Sequence, residues 1–209
     1  MSDRRARIGV FGGTFDPVHV GHLVAAVNVR HDLGLDRVLL VVANSPWQKT
    51  GRRAVTPAEE RYAVVRAAVE GVDGLEASRL EIDRGGTSYT VDTLRQIPER
   101  HPGVHLVYIA GADSARTMAG WHEPEALFEL ADLAVGERSG AQRHEVLDAL
   151  AAVRGSASIS FLKAPLLEIS SSRARQAAAE GGPLEDLVGP RVAAYISEHQ
   201  LYGAGSPGG

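Results

Sequence analysis

The stretch from Gly12 to Leu23, with the sequence GGTFDPVHVGHL, constrains the fold of this chain more than any other. It follows Arg7–Phe11, an apolar run typical of a buried strand, and leads into a segment whose apolar residues recur at helical spacing until Gly34. The sequence therefore predicts a strand, a tight glycine turn and the start of a helix. Backbone N–H groups and the positive end of a helix dipole converge at such a turn, so a phosphate group can bind there.

Two histidines stand at the start of the predicted helix. His19 and His22 are three residues apart, so both side chains can face the same point. Imidazole N–H groups can donate hydrogen bonds to phosphate oxygens. The same spacing also suits histidines that only cap the helix, and the residues alone leave both interpretations open.

Apolar strand-like runs alternate with amphipathic segments along the rest of the chain. This alternation predicts an α/β fold, a Rossmann-like and mainly parallel sheet with helices on both faces. We expect strands near residues 7–11, 37–42, 75–82, 104–110, 133–135 and 159–162. We expect helices near residues 20–34, 56–70, 90–100, 123–130, 143–153, 171–180 and 190–199, the second of them opened by a capping box at Thr56. Residues 1–202 are predicted to form one domain and residues 203–209 a flexible tail.

Composition narrows the class of protein. The chain has 209 residues, 44% of them hydrophobic, which suits one globular domain. Its net charge of −4 gives no indication of a nucleic-acid partner. The absence of cysteine excludes disulfides and a thiol nucleophile. With no apolar run near the roughly 20 residues of a membrane span and no signal peptide in MSDRRAR, we expect a cytoplasmic protein with no membrane partner. A homo-oligomer is left open.

Two separated motifs carry a resemblance to a known family. His19-Val20-Gly21-His22 matches the (H/T)-x-G-H pattern, and the segment ISSSRAR from Ile169 to Arg175 resembles I-S-S-T-x-I-R. Either motif alone is weak, but together and in this order they are specific. The chain therefore resembles the nucleotidyltransferases of the adenylyltransferase superfamily, and within it the bacterial nicotinate-nucleotide adenylyltransferases. Ser172 stands where threonine is usual and keeps its hydroxyl, whereas Ala174 stands where isoleucine is usual and has less volume.

The resemblance implies adenylyl transfer from ATP to nicotinate mononucleotide, with Mg²⁺ carried on the ATP phosphates and no metal held by the protein. It assigns catalytic contacts to His19, His22 and Arg175, with His22 contacting the transition state. From the residues alone, the serines of the second motif could equally be an ordinary helix cap. The positions implied to bind ATP are Gly12, Gly13, Thr14, Phe15, Gly111, Asp113, Ile169, Ser170, Ser171 and Ser172.

Four further residues are implied to bind the acceptor. Thr90, in the segment SYTVDTL, is matched to a contact with the pyridine carboxylate, and Trp121 to the face on which the pyridine ring stacks. Arg138 and Lys49 are matched to phosphate contacts. Each has a simpler alternative, which is core packing for Trp121, an exposed salt bridge for Arg138 and a solvated loop for Lys49.

Three alternative functions stay open at this point. Phosphopantetheine or nicotinamide mononucleotide could be the acceptor, since enzymes for these acceptors share both phosphate motifs. The SYTVDTL segment argues against phosphopantetheine. A non-catalytic nucleotide-binding module is the third alternative, and the presence of both histidines and Arg175 argues against it.

Overall fold

The computed structural model of the protein describes residues 5–46, 54–137, 143–163 and 169–204. Within these residues, six strands form one parallel sheet in the order β3-β2-β1-β4-β5-β6. The strands are β1 Arg7–Gly13, β2 Arg37–Val42, β3 Leu75–Ser78, β4 His105–Gly111, β5 Asp132–Glu137 and β6 Ile159–Lys163. The predicted α/β fold with a parallel sheet is therefore confirmed.

Helices cover both faces of the sheet. They are α1 Val20–Asp32, α2 Ala58–Val69, α3 Leu80–Arg84, α4 Thr90–Arg100, α5 Ala112–Ala115, α6 Pro124–Leu130, α7 Arg143–Leu150, α8 Ser171–Glu180, α9 Glu185–Val188 and α10 Pro190–Glu198. Short 3₁₀ turns lie at Met118–Gly120 and Leu201–Gly203. Helices α1, α2, α8, α9 and α10 pack on one face and α4 to α7 on the other, while α3 contributes Leu80 to the second core and Ile82 to the first. No helix in the described part of the chain is long and apolar enough to cross a bilayer.

The sequence of β2 shows why the sheet is buried on both sides. Its residues alternate between two hydrophobic cores, with Val38 and Leu40 in one and Leu39 and Val41 in the other. Successive side chains of a strand point to opposite faces, so a continuous apolar run suits a sheet that helices cover twice.

The strand order reverses between β1 and β4, which are adjacent in the sheet although β2 and β3 lie between them along the chain. In such sheets ligands bind beyond the carboxyl ends of the strands at this switch point. Gly12 and Gly13 close β1 there, and Gly111 closes β4. The fold thus brings two of the predicted nucleotide-binding segments to one edge of the sheet.

Three local predictions were wrong. The extended segment predicted at 75–82 ends at Ser78, and α3 follows; Arg79 and Asp83 are joined by an ion pair at 2.6 Å, one helical turn apart, which favours a helix. The predicted N-cap of helix α2 is also displaced by one residue: Pro57, not Thr56, is the N-cap, and it makes no side-chain hydrogen bond, while the Thr56 carbonyl accepts from Arg61 Nε.

The third concerns the start of the tail. Tyr202 and Gly203 belong to a 3₁₀ turn, and Ala204 is only 7% exposed. Packed structure therefore continues two residues beyond the predicted boundary, because the turn lies against α8 and α10. Residues 205–209 lie outside the described residues.

Candidate active site

The turn after β1 has a conformation that restricts which residue can stand at Gly13. A Cβ atom at Gly13 would lie 2.7 Å from the Phe15 ring, so no larger residue fits there without displacing that ring. Phe15 has φ +48°, in the left-handed region that non-glycine residues rarely adopt, and its side chain is 3% exposed. Burial of an aromatic ring offsets this strain of about 1–3 kcal/mol. The turn is therefore a fixed shape, not a mobile loop.

His19 is the N-cap of α1, and its ring lies against that of His22 with centroids 3.7 Å apart. Gly21 leaves room for this arrangement, since a Cβ atom there would lie 3.1 Å from His19 Nδ1. The His19 backbone N–H donates to His22 Nδ1 at 3.2 Å. A neutral His22 ring therefore carries its proton on Nε2, where it can donate to a ligand. Both histidines line the same cleft.

Two phenylalanine rings hold the His22 imidazole in place. Phe15 meets it edge to face with centroids 5.1 Å apart, and Phe11 does so at 5.8 Å. Edge-to-face packing restrains the ring without using either nitrogen. The orientation of His22 is thus set before a ligand arrives.

The second motif lies directly beside the first. Ser170 is the N-cap of α8, and its hydroxyl accepts from the Arg173 N–H at 3.2 Å. The Ser171 hydroxyl donates to the Pro17 carbonyl at 2.9 Å, across 154 positions of sequence. Ile169, Ser170 and Ser171 line the cleft together with the two histidines. Two helix N-termini, those of α1 and α8, therefore meet at one site.

Arg175 also lies at the first turn, although it is not among the cleft-lining residues. Its guanidinium donates to the Asp16 carbonyl at 2.6 Å and to the Ser172 hydroxyl at 3.0 Å. Ser172, which is exposed, likewise does not line the cleft. The structure thus brings Arg175 to the expected turn, where it contacts the backbone of that turn.

The cleft has a volume of about 480 Å³ and opens at the carboxyl ends of β1 and β4. Pockets of this size commonly hold small organic ligands. Of the predicted ATP-binding residues, Asp113 does not line it. The Asp113 side chain is 86% exposed and accepts from Arg116 at 2.6 Å. The lining residues of the first turn and β4 include Gly12, Gly13, Thr14, Phe15 and Gly111.

Two of the four predicted acceptor residues line the far part of the same cleft. Thr90 does so at the start of α4, and Trp121 after the first 3₁₀ turn. The Trp121 ring packs edge-on against Tyr108 at 6.1 Å, and its indole N–H donates to the Thr117 hydroxyl at 3.1 Å. Trp121 therefore combines core contact with a wall of the cleft. Lys49 and Arg138 lie outside the described residues.

Sequence reasoning missed a buried carboxyl group in the cleft wall. Glu81 is 6% exposed, and its Oε1 accepts from the Thr93 hydroxyl at 2.6 Å. Burial raises the pKa of Glu81, while hydrogen bonds from Ser88 and Thr93 and the charge of Arg84 oppose that rise. Nothing in the charged segment LEIDR distinguishes Glu81 from a surface residue.

Tyr108 was missed as well, and it lies beneath the first turn. Its hydroxyl would be 3.2 Å from a Cβ atom at Gly12, so that glycine allows the close approach. Burial raises the pKa of Tyr108 to about 12, although a hydrogen bond with the Thr90 side chain opposes this. The hydroxyl therefore stays protonated and links the first turn to the predicted acceptor segment.

Arg61, on α2, is the third residue that was missed. Its side chain is 1% exposed and donates to the carbonyls of Thr14 at 2.8 Å, Thr56 at 2.7 Å and Asn44 at 3.3 Å. Burial lowers its pKa, which the charge of Asp16 partly offsets. The spacing of Arg61 from Val64 and Val65 places it on the buried face of α2, and this periodicity could have identified it.

Among the described residues, no group of three or more His, Asp or Glu side chains could hold a metal ion. The polar groups of the cleft are instead hydrogen-bond donors near helix N-termini, with the buried Glu81 in one wall. Such donors suit phosphate oxygens.

Comparison with known proteins gives a consistent result. The family model described as cytidylyltransferase-like matches residues 10–177. A protein of Clavibacter michiganensis named a probable nicotinate-nucleotide adenylyltransferase is 41% identical over 198 residues, which cover 95% of this chain and 94% of that protein. A protein of the same name from Saccharopolyspora erythraea is 40% identical over 95% of this chain and 91% of its own length.

A solved structure has the same fold. The nicotinic acid mononucleotide adenylyltransferase of Plasmodium falciparum, complexed with NaAD, superposes with a TM-score of 0.76 and 19% sequence identity, covering 95% of this chain and 98% of that one. This likeness concerns the fold alone, whereas the two bacterial relatives share two-fifths of their residues with the whole chain. The chain belongs to the nicotinate-nucleotide adenylyltransferase family, within the cytidylyltransferase-like group.

Proposed function

We propose that the cleft transfers the adenylyl group of ATP to nicotinate mononucleotide, giving nicotinate adenine dinucleotide and pyrophosphate. Family membership supplies the reaction. The observation that carries the assignment to this cleft is the hydrogen bond from the Ser171 hydroxyl to the Pro17 carbonyl, because it holds together the two helix ends that we propose bind phosphate.

In this reaction an oxygen of the acceptor phosphate attacks the α-phosphorus of ATP. A new P–O bond forms, the bond from the α-phosphorus to the bridging oxygen breaks, and pyrophosphate leaves with the electron pair. No covalent enzyme intermediate is needed, so catalysis consists of positioning and of stabilising negative charge.

The proposed charge-stabilising groups are His22 Nε2–H, the His19 ring and the first backbone N–H groups of α1. The first N–H groups of a helix have no partner within it and point toward the site. The hydrogen bond from His19 to His22 Nδ1 supports a donor role for Nε2. We propose that Gly12, Gly13, Thr14 and Phe15 shape this part of the site.

The β- and γ-phosphates are proposed to lie at the start of α8. Ile169, Ser170 and Ser171 line the cleft there. Arg175 follows Ser171 by one helical turn on the same face, which supports its contact with phosphate. Ser172 would then hold the Arg175 guanidinium, to which it is hydrogen-bonded. Gly111 would lie beside the nucleotides, and Asp113 would contact them by exchanging its pairing with Arg116.

Trp121 and Thr90 are proposed to receive the pyridine ring and its carboxylate, because both line the cleft beyond the histidines. Arg138 and Lys49 stay proposed phosphate contacts. Mg²⁺ is proposed to enter as the counter-ion of ATP, since it prefers phosphate oxygens and water to an all-protein cage. A cytoplasmic location remains part of the proposal, and a sequence without cysteine is compatible with it.

The test is a side-by-side measurement of pyrophosphate release. Purified protein, ATP and Mg²⁺ are combined with nicotinate mononucleotide, nicotinamide mononucleotide or phosphopantetheine, and initial rates are compared. We expect the highest kcat/KM with nicotinate mononucleotide. A higher value with another acceptor would reassign the substrate, and ATP binding without release from any acceptor would reduce the protein to a nucleotide-binding module.

A further inference from the structure

The turn that carries the histidines is held from behind by residues that do not line the cleft. Its Thr14 carbonyl accepts from Arg61 and its Asp16 carbonyl from Arg175. The Asp16 side chain is 1% exposed, and its Oδ1 accepts from the Tyr202 hydroxyl at 3.0 Å, across 186 positions of sequence. A residue near the end of the described chain thus contacts the turn that opens the site.

The backbone at Tyr202 has an unusual conformation. Tyr202 has φ +59° and Gln200 has φ +50°, both in the left-handed region that side chains disfavour. Such residues persist where surrounding contacts fix them. Here the Tyr202 ring packs against the core beside α8, and its hydroxyl reaches Asp16. The strained turn Leu201–Gly203 is therefore held in place by the contact with the site.

The groups around the Tyr202 hydroxyl keep it a hydrogen-bond donor. Burial raises the pKa of Tyr202, and the charge of Asp16 raises it further, against the opposing effects of a hydrogen bond with the Thr56 side chain and of the charge of Arg175. The hydroxyl accordingly stays protonated at neutral pH and donates to the Asp16 carboxylate. This contact restrains Asp16 between Phe15, which packs on His22, and Pro17, whose carbonyl accepts from Ser171.

We propose that Tyr202 is a positioning residue for adenylyl transfer. Through Asp16, the C-terminal turn fixes the shape of the phosphate turn and thereby the orientation of His22 before substrates bind. The inference rests on the proposed function. Because Tyr202 does not line the cleft, it should act on the rate of the chemical step more than on substrate binding.

Tyr202→Phe removes the hydroxyl and leaves the ring, and Tyr195→Phe is the matched control. The Tyr195 hydroxyl donates to Glu60 at 3.3 Å on α2 and does not contact the first turn. We expect Tyr202→Phe to lower kcat about 10- to 100-fold while both KM values stay within about threefold, since small displacements of catalytic groups cost this much. Tyr195→Phe should leave kcat unchanged.

A second readout separates positioning from loss of stability. The imidazole ¹⁵N resonances of His22, recorded without substrates, should shift or broaden in Tyr202→Phe and match wild type in Tyr195→Phe. If Tyr202→Phe does not fold, Gly203→Ala is the second variant. Gly203 has φ +82°, which alanine rarely adopts, so the substitution should displace the same turn. It should do so without a clash, because the added Cβ atom would lie 3.7 Å from Ala179.

The outcomes are distinct. Wild-type protein without pyrophosphate release overturns the proposed function. An active wild type with a Tyr202→Phe variant whose kcat lies within threefold of it overturns the role of Tyr202 and leaves the reaction standing. An equal fall of kcat in both tyrosine variants would also overturn it, since the effect would then not depend on Asp16.

Discussion

Replacing His22 with alanine should abolish most of the activity while leaving the protein folded. In the transition state the variant lacks one donor aimed at developing negative charge, and loss of such a donor lowers kcat about 10²- to 10³-fold, or about 2.7–4 kcal/mol. In the folded state it lacks the acceptor of the His19 N–H, worth about 1 kcal/mol, and two edge contacts with Phe11 and Phe15, worth about 1–3 kcal/mol together. Domains of this size are stable by about 5–15 kcal/mol, so the variant should still fold.

The assay is the initial rate of pyrophosphate release with saturating ATP, Mg²⁺ and nicotinate mononucleotide, alongside thermal unfolding of each protein. His31→Ala is the control, because His31 lies on the same helix with a side chain that is 88% exposed. It should retain the wild-type kcat. The reasoning is refuted if folded His22→Ala keeps a kcat within tenfold of wild type.

Three further predictions follow from the walls of the cleft. Trp121→Ala should raise KM for nicotinate mononucleotide by roughly 5- to 150-fold, the equivalent of about 1–3 kcal/mol of ring stacking. KM for ATP should stay within about threefold of wild type. An equal rise in both KM values would contradict the stacking role. Glu81→Gln should become more stable relative to wild type as pH rises above the ordinary glutamate pKa, because the raised pKa of Glu81 makes its ionisation oppose folding. Urea unfolding of both proteins at several pH values measures this. A difference in unfolding free energy that does not change with pH would contradict it. Gly13→Ala should lose about 1–3 kcal/mol of stability and most activity by displacing Phe15, whereas Gly120→Ala, with open space around it, should lose neither activity nor more than about 1 kcal/mol.

The sequence predicted the elements whose limits are set by local chemistry. Helix α8 begins and ends where expected, because Ser170 caps its start and Gly181, with φ +65°, ends it. Strand β2 matches its apolar run from Arg37 to Val42. The two phosphate motifs also predicted that Arg175 lies near the first turn, since the family pattern relates residues that local periodicity cannot.

Residues whose role depends on distant contacts could not be predicted. Glu81 reads as a surface charge, and only the packing of α3 against α4 brings the Thr93 hydroxyl to it. The predicted contact of Arg175 with phosphate stays a prediction, whereas its hydrogen bond to the Asp16 carbonyl could not be predicted, because no spacing in the sequence reveals it. The C-terminal turn was placed partly in a tail because its left-handed residues follow no periodic pattern.

A crystal structure with nicotinate adenine dinucleotide tests the central claim most directly. We expect the bridging phosphates at the N-terminus of α1, within hydrogen-bond distance of His22 Nε2, and the pyridine ring against Trp121. A dinucleotide bound outside this cleft, or with its phosphates away from both histidines, would contradict it.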